Sequence, residues 1–189
     1  MATADAVRDM ADTLIFLLRS TVPPMVAEDR IFAATPDEFE ALQDPDRPAI
    51  TLFLYRVAVN PEMRNSPRRI LGNGRITRPL LPLELYYMVT PWARETRDEF
   101  RIVGRVLQAL YDHGEIGAAD LQGLSWSPGD SVQLALDSLP IEDHLRIWET
   151  TELPYRLSLT YCARVVGIEP ELGEVVPVVT TAQFSSGTV

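Results

Sequence analysis

The chain has 189 residues, 46% of them apolar and 23% charged, with a formal net charge of −10. That is the balance of an ordinary globular protein, long enough to bury roughly 70% of its unfolded surface in a single core. The negative charge argues against a nucleic-acid binder that works by phosphate neutralisation, and no apolar run reaches the ~20 residues needed to cross a bilayer.

All 17 basic residues are arginine. The absence of lysine excludes a Walker phosphate loop, Schiff-base chemistry and a kinase-type site. One cysteine, Cys162, excludes an internal disulfide and a cysteine metal cluster; it lies in a strand-like run and reads as a small buried apolar group. The first nine residues carry Asp5 and Asp9 against Arg8, so no secretory leader is visible and a cytoplasmic location is expected.

Taken in chain order, Thr3 to Ser20 forms an amphipathic helix. Val7, Met10, Leu14, Leu17 and Leu18 recur at spacings of three and four, with Arg8, Asp9 and Asp12 off that stripe. Pro23-Pro24 stops it. Ala34 to Pro48 is an irregular connection with a short helix at Asp37 to Leu42. Ala49 to Asn60 alternates as a strand, Phe53, Tyr55, Val57 and Val59 on one face and Leu52, Leu54 and Arg56 on the other. With both faces partly apolar, one is expected to meet helices and the other a second subunit.

Pro61 to Pro79 is irregular, with a turn signal at Gly72-Asn73-Gly74. It carries Arg64, Arg68, Arg69, Arg75 and Arg78 against one acid, Glu62, a basic loop on an acidic chain. Leu83 to Thr90 is a strand ended by Pro91 and Trp92. Thr96 opens a helix, with a Thr96–Glu99 capping box, a buried stripe of Phe100, Val103, Leu107, Leu110 and Tyr111, and a His113-Gly114 terminus with a left-handed cap.

Ser131 to Asp137 is a strand. Pro140 opens a short helix whose apolar face is Ile141, Leu145 and Trp148. Tyr155 to Ile168 is a long strand, Tyr155, Leu157, Leu159, Tyr161, Ala163 and Val165 alternating against polar partners. This order lacks a regular strand–helix alternation. It predicts an α+β domain over 1–168, with a mostly antiparallel sheet of about four strands and helices on one face.

From Glu169 to Val189 the composition changes. Acids come without basic partners, then Val175, Val176, Val178 and Val179 form a strand-prone run interrupted by Pro177. This reads as an extended arm that orders against a sheet edge in a partner.

Catalytic chemistry finds no foothold. His113 and His144 are the two candidates for neutral-pH proton transfer, and both read as structural: one ends a helix, the other lies within one. No metal-ligand pair, nucleophile elbow or glycine-rich phosphate motif is present. No cofactor, metal or catalytic residue is therefore expected.

Three stretches carry a resemblance. The run "LPLELYYMVTPWA", the helix "FRIVGRVLQALYDHGEI" and the segment "VQLALDSLPIEDHLRIWETTELPYRLSLTYCARVVGIEP" resemble the cap, or tail-terminator, proteins of extracellular contractile injection systems, the virulence-cassette and antifeeding-prophage type. The likeness spans about Met10 to Pro170. It implies a structural, non-enzymatic protein: six copies on the last ring of the inner tube, engaging the terminal sheath ring. The implied partners are the chain itself, the tube protein and the sheath protein, and neither nucleic acid nor membrane. The arginine loop and the valine arm are the expected contacts, the arm's partner being above all the terminal sheath subunit. An assembly chaperone or adaptor for tube or sheath subunits is the alternative.

Overall fold

The computed structural model describes residues 2–22, 24–43, 47–64, 67, 69–70, 76–151 and 153–170. Three helices are present among them: α1 (Ala6–Thr21), α2 (Thr96–Asp112) and α3 (Ile141–Glu149). The strands are β1 (Ile31–Ala33), β2 (Ala49–Val59), β3 (Arg69–Ile70), β4 (Ile76–Thr77), β5 (Leu81–Trp92), β6 (Glu115–Gly117), β7 (Ser131–Leu136) and β8 (Leu159–Ile168).

Six of these strands make one sheet in the order β1-β2-β5-β8-β7-β6, and β3 pairs with β4 in a separate ribbon. Only β1–β2 is parallel; every other pair is antiparallel. The α+β class stands, but the sheet is larger than the four strands expected. The two additions, β1 and β6, are three residues each and lie at the two edges, too short to show a period in the sequence. The long strand begins at Leu159 rather than Tyr155.

Helices cover both faces, not one. On the first face α1 lays Met10, Leu14, Leu17 and Leu18, and α2 lays Ile102, Val106 and Leu110, over Leu85, Tyr87, Val89, Tyr161 and Ala163. On the second face Phe39, Leu42 and Trp148 close over Met88 and Trp92. There Phe39 sits 5.3 Å and Trp148 6.2 Å from Trp92 between ring centroids, and the Trp92 indole N–H donates to Thr51 Oγ1 at 2.9 Å. Part of the second face is therefore filled by the chain itself.

A bulge reassigns the faces of β2. Leu54 pairs with Tyr87 and Arg56 with Tyr86, so Tyr55 is the extra residue. Tyr55 and Arg56 both lie on the second face. Val57 and Val59 move to the face of Leu52 and Leu54, the reverse of simple alternation. A second bulge in β8 pairs Ala163 with Leu85 and Val166 with Leu83, returning Val166 to the core.

Three helix details also differ from expectation. The Glu99 carboxylate is taken by Arg156, so no Thr96–Glu99 box forms, and α2 starts after an extended Glu95 that makes no side-chain cap. Gly114 is not left-handed; among the described glycines only Gly123 has a positive φ. The α2 terminus is closed instead by His113, whose Nδ1 lies 2.8 Å from the Ala109 carbonyl. Asp9, placed off the apolar stripe of α1 by spacing, is 1% exposed.

Candidate assembly surface

The basic loop is divided. Arg64 and Arg78 are exposed and border one groove of about 710 Å³, whose apolar wall is Val59, Leu80, Leu81 and Ile168. Arg69 lies in β3, where it pairs with Thr77. Arg68, Arg75 and the Gly72-Asn73-Gly74 turn lie outside the described residues, as do Val175, Val176, Val178 and Val179. The groove brings two of the five arginines to the point where Glu169 and Pro170 lead out of β8.

The second face of the sheet carries a polar cluster built by the β2 bulge. Glu84, almost fully buried, accepts from Asn60 Nδ2 at 3.0 Å and from the Tyr86 hydroxyl at 2.7 Å. Arg164 Nε lies 3.5 Å from the same carboxylate. Arg56 stacks 4.9 Å above the Tyr86 ring, and the Tyr55 hydroxyl donates to Asp137 at 3.3 Å.

The Tyr86 hydroxyl is raised above its ordinary pKa by donating to Glu84 and by burial, so it stays protonated. Cys162, paired with Tyr86 across β5–β8, is fully buried, and burial pushes its thiol up. A thiol held protonated and away from solvent is inert. Arg56 and Arg164 are the exposed members of this cluster. An arginine stacked on tyrosine is preorganised to take a planar carboxylate from outside.

The two histidines follow different local demands. His113 caps a helix. His144 is buried and meets the edge of Tyr155 at 5.7 Å between ring centroids, and burial lowers its pKa so that it stays neutral. Among the described residues no three acidic, histidine or cysteine side chains group as a metal site, and no helix is long and apolar enough to cross a membrane.

The apolar groove between α2 and β7 was invisible to periodicity. The core face of α2 is Ile102, Val106, Ala109 and Leu110, so the predicted stripe is rotated. Phe100 is 59% and Tyr111 85% exposed, and Leu107 and Tyr111 face Leu134 and Leu136 across a groove of about 670 Å³. On α3, Ile141 and Leu145 are likewise exposed while His144 and Trp148 are buried. The available signal was an excess: α2 has more apolar residues than one stripe can hold, and only one set can face the core.

The chain is similar to the sheath/tube terminator of an extracellular contractile injection system (PVC, extended state), with TM-score 0.67 and 19% identity, over 96% of this chain and 64% of that one. It is also similar to the tube-terminating cap of the anti-feeding prophage (AFP), with TM-score 0.65 and 19% identity, over 94% of this chain and 60% of that one. This chain thus spans less than two thirds of either structure. No curated protein matches it. Residues 9–181 match the sequence profile described as the Pvc16 N-terminal domain, and with that match covering most of its length the chain belongs to the Pvc16 N-terminal domain family.

Proposed function

We propose that this chain caps a contractile injection system as a tail terminator: six copies form a ring that ends the inner tube and engages the last sheath ring. The observation that carries this reading is a fold shared with two terminator caps across nearly the whole chain.

The surface supports it. Exposed apolar residues gathered into grooves mark association sites rather than solvated faces, and here they lie on two separate regions. One is Val59 and Leu81 in the arginine groove, and the other is Tyr111 and Leu136 in the groove between α2 and β7. Two unlike patches fit a head-to-tail contact, which closes into a ring when the rotation permits. The arginines offer bidentate contacts to carboxylates of a tube, sheath or neighbouring subunit. Such a protein works by geometry and not by catalysis, and as part of an assembled particle.

Native mass measurement and averaging of purified particles test the reading. The expected result is six copies in a single terminal layer. Copies along the length of the tube would overturn it, and so would a protein that leaves before the particle matures, which would make it an assembly escort.

A further inference from the structure

The open half of the β7 edge is built to receive an extended strand. β6 pairs with β7 only over Ser131 to Gln133, and the Gly114 carbonyl takes one more bond, from the Leu134 amide at 2.9 Å. Asp137 turns its amide the other way, toward Thr160 of β8, at 2.7 Å. Successive residues of a strand turn their backbone groups to opposite sides. Leu136 therefore aims its N–H and carbonyl away from β8, at a level β6 does not reach. Above that edge stand Leu107 and Tyr111 of α2, and Leu136 itself is 55% exposed. Among the described residues, no charged one lines this groove.

We propose that the groove takes the valine run, Val175 to Val179, of the neighbouring copy in the ring, added as a strand beside Leu134 to Leu136. This rests on the ring reading above.

Three observations select the occupant. The run is uncharged, like the groove. Pro177 lacks an amide hydrogen and suits the outer side of an edge strand, leaving Val178 to exchange both bonds with Leu136 as a directly opposed antiparallel pair. The third is reach. Leu134 pairs with Ala163 and Leu136 with Tyr161, whereas the arm departs after Pro170 at the far end of β8. Along a strand those levels lie about 23 Å and 30 Å from Pro170. Val178, the residue set against Leu136, extends at most about 29 Å from Pro170, and the added strand also lies two strand spacings, about 10 Å, to the side of β8. Within one chain the run falls short, and the straight path is occupied by β6. A neighbour's arm has no such limit. The arm exit and the groove lie toward opposite ends of one sheet, so each copy gives at one end and receives at the other.

Cysteine cross-linking of the full chain tests this, in a Cys162→Ala background. One chain carries Leu136→Cys, a second carries Val178→Cys, and the two are mixed and oxidised. A third chain, Gln133→Cys, marks the part of β7 that β6 already covers. The expected result is a covalent heterodimer from Leu136→Cys with Val178→Cys and none with Gln133→Cys, and from a chain carrying both cysteines a ladder ending at the ring. A fast-migrating internal disulfide in that double variant, without heterodimer in the mixture, would place the arm on its own chain and overturn the proposal. Cross-linking of Val178→Cys to the sheath instead, in purified particles, would also overturn it. Native mass on the same samples separates the failures: a ring without heterodimer sinks this inference alone, and a monomer without heterodimer sinks the ring reading with it.

Discussion

Asp9 shows how one buried carboxylate ties distant parts of this chain together. Its Oδ2 accepts from the Ser125 amide at 3.1 Å and the Ser125 hydroxyl at 2.6 Å, across 116 residues of sequence, and its Oδ1 accepts from Arg8 at 2.8 Å. Burial alone would raise its pKa; the donors from Ser125 and Arg8 outweigh that and hold it below the ordinary carboxylate value. Because the folded value is the lower one, the stabilisation is complete above the unfolded pKa of ~4 and fades as the pH falls through the folded value. Asp9→Asn is expected to flatten the acid limb of a stability-against-pH curve, measured by denaturant unfolding between neutral pH and strong acid. The loop reaches Asp9 through Gly123, with φ +92° and room for no Cβ: one built there would lie 2.1 Å from Asp9 Oδ2. Gly123→Ala is expected to cost at least about 1–3 kcal/mol from backbone strain alone, read as a lowered thermal midpoint. In the sequence Asp9 looked like a solvent-facing residue of α1, because the loop that buries it is remote and irregular.

At the scale of elements, the strongest errors came from periods that were correct and faces that were not. α2 is a helix over nearly the predicted span, yet its core side is Ile102 and Val106 while Phe100 and Tyr111 stand in solvent. The bulge at Tyr55 has the same origin. A strand's alternation is legible, but one inserted residue inverts every side chain beyond it. That inversion brings Arg56 over Tyr86, and with it a polar face no spacing rule would have drawn. The basic segment makes a separate prediction. Arg64 and Arg78 share a groove, Arg69 opens β3, and Arg68 precedes it in the sequence. Reversing both Arg68 and Arg69 to Glu is expected to impair capping, scored as the fraction of closed particle ends, while the isolated protein keeps its unfolding midpoint. Surface arginines hold little folding energy but set polar contacts at interfaces. Capping that survives the double reversal would show the segment to be solvated.

For the whole molecule, the question is how much of the chain the fold needs. Among the described residues the two core clusters draw their buried members from Ala2 to Val166, and no strand of the sheet runs past Ile168. Truncation after Gly173 is therefore expected to leave circular dichroism and the thermal midpoint unchanged. The valines it removes would each yield roughly 1.5–3 kcal/mol on full burial, energy that the proposed strand addition assigns to association. The truncated chain should lose the ring on native mass measurement and give particles with naked or prematurely contracted ends. Stable rings and normal, extended particles from it would show that the folded domain suffices.

Local chemistry determined what the sequence could tell by itself. The α1 stripe, the strands read from Ala49, Leu83 and Ser131 and the helix start at Pro140 follow from near neighbours, because capping, alternation and helical period act over a few residues. The tertiary structure alone decided which apolar residues have partners. Short edge strands, the two bulges, the burial of Asp9 and the groove under Tyr111 depend on contacts between segments far apart in the chain. A side chain's period does not say whether another segment will arrive to cover it.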